Sequence, residues 1–294
     1  MSKISRRNFI KTSALSAIFI SAVPSVIKSG SMGLFDDYDE VLCKKKFKLL
    51  VDEGTKSMSM GDAVVEVGKS FLDTDYVAGT LDKSMSEGLV VNLTGLDCVT
   101  FVENCLTFAR CVKLGKTSFD DYKAELKKIR YRDGILDGYS SRLHYFCDWI
   151  TDNENKGIVK NITADIGGVE YNKKIDFMST HTKSYKQLSN SSELDGVKAA
   201  EEAINSRYYY YIPTNKISAS YDLMQSGDII ATTTSIGGLD VTHTGYVYKE
   251  GGGTYFMHAS SKSKKVIISP EELQDYVAGD SKKTGIMVAR PLEV

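Results

Sequence analysis

The run Cys98–Leu114 constrains the fold more than any other stretch of the chain. Cys98, Phe101, Val102, Cys105, Ala109 and Val112 recur at spacings of three and four, the mark of a helix with one buried face. Asp97, just before it, is a good N-cap. So long an amphipathic helix needs an apolar surface to lie on, and the later part of the chain offers one. Short runs rich in β-branched and aromatic residues occur at 228–233, 243–249, 254–260, 264–269 and 285–290, separated by turns. Further helices are expected around 38–53, 59–71, 118–130, 140–152, 193–206 and 270–278. Helices first and an antiparallel run after them describe an α+β domain, with the long helix packed on the sheet. Residues 153–161 read as a surface loop. The tyrosine run 208–211 before Ile212-Pro213 reads equally as an aromatic binding wall or a half-buried edge strand.

The chain has 294 residues, 42% hydrophobic and 26% charged, which suits one large domain or two small ones. Its net charge of −1 lacks the basic footprint that a phosphate backbone requires, so nucleic acid is not an expected partner. The first thirty residues differ from the rest. Arg6-Arg7 leads into a charge-free span from Thr12 to Ile27, then Lys28-Ser29-Gly30. That is an export signal, either of twin-arginine type or an ordinary secretion signal with two chance arginines. The span is shorter than the roughly 20 apolar residues a membrane helix needs. A leader at 1–30, a single domain at 31–294, a periplasmic or other extracytoplasmic location and no integral membrane segment after signal removal are therefore expected. Five cysteines leave at least one thiol free, and three of them share the long helix at spacings that suit packing better than bridging.

Cys98 falls in the first turn of that helix. Amide donors and the helix dipole stabilise a thiolate there, so its pKa is expected below the ordinary value of about 8.5; as one more small residue on the apolar stripe, it could equally serve packing alone. The second informative segment is a hairpin through Gly251-Gly252-Gly253. A turn of two or four residues sets 249 opposite 254, hence Gly245 opposite His258. His243 and His258 then become diagonal neighbours about 7 Å apart at their backbones, with Gly245 leaving room between them. A three-residue turn would separate them. A cysteine nucleophile needs an imidazole to take its proton, and that imidazole needs a partner to fix its tautomer. His144 and His181 read as packing or surface residues, and Arg142 and Tyr145 as either cleft lining or core. A zinc amidase using Cys98, His243 and His258 as ligands lacks the usual paired histidine–carboxylate helix motif, so no metal and no cofactor are expected.

Asp97-Cys98 at a helix start, His243-Thr244-Gly245-Tyr246 on one strand and His258-Ala259-Ser260 on the next resemble the NlpC-type, papain-like cell-wall cysteine peptidases. The resemblance implies a papain-like core with Cys98 as nucleophile, His243 as base, His258 as the third polar residue and Tyr76 beside the oxyanion. Endopeptidases of that family carry Asp-Cys-Ser-Gly where this chain has Asp97-Cys98-Val99-Thr100, which implies a changed substrate. The fuller pattern adds Phe101-Val102-Glu103-Asn104, Ser141-Arg142-Leu143-His144-Tyr145 and Gly238-Leu239-Asp240-Val241-Thr242-His243. It is similar to the N-acetylmuramoyl-L-alanine amidase-like family. That resemblance implies cleavage between muramic acid and L-alanine in peptidoglycan fragments (disaccharide-peptides) during wall turnover. Asp97, Arg142, Tyr145 and Asp240 are then substrate-binding candidates, and an insertion at about 116–221 shapes substrate choice. The alternatives are an endopeptidase at the bond between γ-D-glutamate and the diamino acid, or a wall-binding module without turnover.

Overall fold

The computed structural model describes residues 37–294, so the leader expected at 1–30 lies outside the described residues. Helices α1 (Asp37–Asp52) and α2 (Met60–Lys69) come first. Two-residue strands β1 (Asp75–Tyr76) and β2 (Gly95–Leu96) pair in parallel and lead into α3 (Cys98–Leu114). This helix has the bounds its periodicity predicts. Asp97 Oδ1 accepts from Thr100 N at 2.8 Å, Thr100 Oγ1 accepts from Asp97 N at 2.9 Å, and Gly115 ends the helix at φ 69°. On it packs α4 (Phe119–Arg130), whose Arg130 forms a buried ion pair with Glu103 of α3 at 2.7 Å.

Next come α5 (Phe146–Asn155), β3 (Val159–Asn161), β4 (Val169–Glu170), α6 (Phe177–Thr180), α7 (Ser191–Asn205) and β5 (Tyr210–Pro213). The C-terminal part holds β6 (Ile229–Thr234), β7 (Val241–Glu250), β8 (Gly253–Ser260), β9 (Lys265–Glu272), α8 (Leu273–Ala278) and β10 (Lys283–Pro291). One sheet runs β2-β1-β9-β8-β7-β6-β10-β5-β4, with β3 also pairing to β10, and every contact except β1–β2 is antiparallel. The fold class is therefore α+β, as expected. Residues 116–221 belong to the same body, since α4 packs on α3 while β3, β4 and β5 extend the sheet.

Alternation along the strands assigns two cores. Ile229, Ala231, Tyr246, Met257 and Met287 face the helical layer, whereas Ile230, Val247, Phe256, Ile286 and Val288 face Leu273 and Val277 of α8. Both faces are covered, which is why β6 is buried throughout. α3 lies on the first face: Phe101 meets the Tyr246 ring edge-on at 5.9 Å, and the Tyr246 hydroxyl donates to the Val102 carbonyl at 2.6 Å. Among the described residues no helix is long and apolar enough to cross a membrane.

Three expectations need correction. Residues 153–161 are not a surface loop: they end α5 and form β3, with Asn153, Ile158 and Val159 fully buried. Asn153 Nδ2 donates to the Ile129 and Trp149 carbonyls, which makes this polar residue a core strut. The helix expected over 140–152 begins only at Phe146, because Arg142 pairs with Tyr131 in an isolated bridge and Leu143 N donates to the Arg130 carbonyl. The helix expected over 270–278 begins at Leu273, since β9 runs on to Glu272. The tyrosine run lies partly in β5, which is one strand inside the sheet edge formed by β4.

Candidate active site

Cys98 is the first residue of α3 and half-buried. First-turn amides have no helical carbonyl to reach, and those of Cys98 and Val99 face the thiol together with the Thr244 amide of β7. All three favour the thiolate. They do not prevail: burial pushes the Cys98 thiol up to about 12, with the Asp97 carboxylate adding to the rise. The expectation of an acidic thiol is thus wrong in sign, because desolvation and a neighbouring carboxylate outweigh the helix start. The other four cysteines are free and buried.

The histidine pair forms as the hairpin register demands. Gly251 and Gly252, at φ 59° and 86°, make a two-residue turn that sets Glu250 opposite Gly253 and Lys249 opposite Thr254. His243 Nε2 lies 2.7 Å from His258 Nδ1, with the rings perpendicular at 89° and 4.8 Å between centroids. A Cβ on Gly245 would stand 2.6 Å from the Met257 carbonyl and 2.8 Å from His258 Cβ, so only glycine fits there.

Tautomers follow from this geometry. With Nε2 engaged, His243 has Nδ1 left to accept a proton, which requires the Nε2–H to donate to His258 Nδ1. His258 must then carry its own hydrogen on Nε2. Burial holds His243 well below the ordinary imidazole range, helped by His258 and Lys283; burial and then Lys283 bring His258 down to about 3. At neutral pH both rings are therefore uncharged. Tyr76, on β1, is half-buried; burial raises the pKa of its hydroxyl, and Cys98 and Asp97 are near enough to add to the rise.

A cavity of about 220 Å³ adjoins Asp97 and brings together Asp97, Arg142, His144, Tyr145 and Tyr185. Within it, Asp97 is largely occupied by the helix cap. Arg142 is bonded to Asp82, lies 3.6 Å from Glu87 and stacks its guanidinium over the Tyr139 ring. The Tyr145 hydroxyl donates to Glu201 at 2.7 Å and accepts from Met178 N at 2.8 Å, leaving its ring as cleft wall. Asp240 does not line this cavity. It is buried and accepts the Cys147 amide at 2.8 Å, pinning the start of α5. His144 Nε2 lies 2.7 Å from the Tyr139 carbonyl, and exposed His181 bonds within its own turn. Among the described residues no group of histidine, cysteine and acidic side chains is arranged to hold a metal ion.

The N-acetylmuramoyl-L-alanine amidase-like family matches residues 66–286, three quarters of the chain and every residue of the thiol–histidine arrangement. The chain belongs to this family. Its fold is similar to an N-acetylmuramoyl-L-alanine amidase from Bacteroides uniformis ATCC 8492, at 37% identity and a TM-score of 0.75, covering 79% of this chain and 98% of that one. A Bacteroides fragilis structure provisionally named a xylanase is 38% identical, with a TM-score of 0.71 and 76% and 98% of the two chains covered. A Legionella pneumophila protein at 22% identity shares the fold, with a TM-score of 0.66 over 86% and 95% of the chains. No curated protein matches.

Two residues of this amidase-like chain that bear on the histidines escaped the sequence reading. Tyr276 of α8 sets its ring 4.9 Å from His258 and 6.2 Å from His243, and Lys283 Nζ stands 3.8 Å above that ring. The sequence placed Tyr276 on a helix and Lys283 just before a strand, but nothing local pointed either at the hairpin.

Proposed function

We propose that the chain is a thiol-dependent cell-wall hydrolase that cuts the amide bond between N-acetylmuramic acid and L-alanine in peptidoglycan fragments. One observation carries the reading: Cys98 stands at an amide-lined helix start against β7, whose His243 keeps Nδ1 free because His258 takes its Nε2. In the reaction, Sγ attacks the lactyl carbonyl carbon as its proton passes to His243 Nδ1. The amides of Cys98 and Val99, with the Tyr76 hydroxyl, stabilise the oxyanion. His243 then returns the proton to the leaving nitrogen of L-alanine, and a thioester remains on Cys98. Water, deprotonated by His243, hydrolyses it to free the lactyl carboxylate and the thiol. His258 holds the base in the required tautomer throughout.

A glycosidase reading is poorly supported. Glycoside hydrolysis uses a facing pair of available carboxylates, whereas each carboxylate of this cleft is engaged: Asp97 in the helix cap, Glu103 in a buried ion pair with Arg130 and Asp82 in an ion pair with Arg142. Export of the chain, with its leader removed, is part of the same proposal and accords with a wall substrate.

Incubation with a defined disaccharide-tetrapeptide, read by mass spectrometry beside Cys98→Ala, tests this reading. Disaccharide plus intact tetrapeptide, absent with the variant, is the expected result. A disaccharide that retains two residues would instead establish the γ-D-glutamyl endopeptidase, and cleavage that survives Cys98→Ala would reject the thiol mechanism.

A further inference from the structure

Beside the histidine pair the end of β8, the turn after it, β9, α8 and the start of β10 enclose a recess of about 510 Å³. His243 and His258 line it, and Tyr276 and Lys283 stand over them. His258 is 1% exposed, and its Nε2 has no hydrogen-bond partner among the described residues. That atom lies on the ring edge turned away from His243. The tautomers required for a working base make it an N–H donor, so the recess contains a buried donor in need of an acceptor.

The charges nearby define what kind of acceptor fits. Lys283 and Lys262 come from β10 and the turn after β8; Glu271 and Asp280 come from β9 and the turn after α8. Lys283 makes no ion pair with either carboxylate, which act on it only at a distance, and its ammonium rests on the Tyr276 ring. A neutral acceptor would satisfy His258 alone. A negatively charged oxygen answers both the N–H and the unpaired ammonium. Two cations against two acids leave the recess formally neutral, which favours a singly charged ligand, including one with its own ammonium group, over a multiply charged anion.

We propose that this recess binds a small carboxylate, one oxygen of which accepts the hydrogen bond from His258 Nε2 while Lys283 faces its charge. The relay then runs from Cys98 through His243 and His258 to the bound carboxylate. The inference rests on the thiol–imidazole reading given above. A negative charge at that end opposes the effects that keep His243 neutral, so the thiolate–imidazolium pair becomes more accessible. The carboxylate comes either from the peptide of the substrate itself or from a separate small molecule.

The test is the rate at which iodoacetamide alkylates Cys98 at pH 7, followed on the Cys98 peptide by mass spectrometry. It is run in sodium acetate, and in sodium chloride of equal ionic strength. Acetate should accelerate alkylation by about tenfold for each pKa unit the pair recovers. Lys283→Met should remove the acceleration, and Lys283→Arg should keep part of it. Equal rates in the two salts for the parent protein, or an acceleration that persists in Lys283→Met, would overturn the proposal. Alkylation involves no wall substrate, so this result stands apart from failure of the amidase assay. Turnover of disaccharide-tetrapeptides with free or amidated carboxylates then separates the sources. Loss of turnover on amidation that acetate restores identifies the substrate's own carboxylate, and equal stimulation of both substrates identifies a separate molecule.

Discussion

Cys98 and His243 are both held neutral, the thiol raised to about 12 by burial and the imidazole pushed well below its ordinary range by the same cause. Proton transfer from Sγ to Nδ1 must then accompany attack instead of preceding it, unlike a site that rests as an ion pair. The consequence for pH follows directly. Protonation of His243 disables the base only below the ordinary imidazole value, and ionisation of Cys98 comes only far into the alkaline range. In chloride buffers, kcat/KM should therefore be level from about pH 6.5 to about pH 9. A bell with an acid limb above pH 6.5 would mean that the imidazole is charged at rest. Sequence reading reached the placement of these residues but not their charge state. Position at a helix start is local information, whereas desolvation depends on what the rest of the fold packs around the thiol, including segments such as β7 more than a hundred residues later. For the same reason Tyr276 and Lys283 were invisible.

At the scale of elements, α3 and the hairpin of β7 and β8 do most to position the site. Both were legible because their determinants are local: the Asp97 cap and a three-four apolar rhythm for α3, and a glycine turn with fixed register for the hairpin. The start of α5 was not legible. It is fixed by Asp240 accepting the Cys147 amide across 93 positions, and no window on the sequence spans that. The two-residue strands β1 and β2 are likewise defined by partners, not by pattern. The hairpin makes a sharp prediction. Gly245→Ala drives a methyl group against the Met257 carbonyl and His258 Cβ, so the strands must spread under the histidine pair. Stability should fall by about 1–3 kcal/mol, as in other overpacked cores, with activity falling well beyond what the loss of folded protein explains. Denaturant melts paired with rates per folded molecule check it; normal activity in the folded fraction would show that the pair tolerates the shift.

For the molecule as a whole, burial of neutral histidines makes stability depend on pH. His144, His243 and His258 all have depressed pKa values, each because burial disfavours the charged ring. The unfolded chain takes up protons near the ordinary value of about 6.5, while the folded one refuses them. Stability is therefore complete above that pH and declines as pH falls below it, by at most about 1.4 kcal/mol per unit for each fully shielded ring. His144 and His243 are half-buried by surface, so water screens part of this, and a combined slope nearer 2 kcal/mol per unit is expected. Asp240 and Glu87, raised by burial, act in the opposite sense and soften the decline at its acid end. The melting temperature should drop by several degrees between pH 6.5 and 5, at roughly 2–4 °C per kcal/mol for a domain of this size. His144→Gln retains a donor for the Tyr139 carbonyl but cannot titrate, so it should flatten the slope by a share of the whole while sparing the catalytic pair. A melting temperature that stays level across this range would mean that protons reach all three rings in the folded state, and the neutral thiol–imidazole site would fail with it.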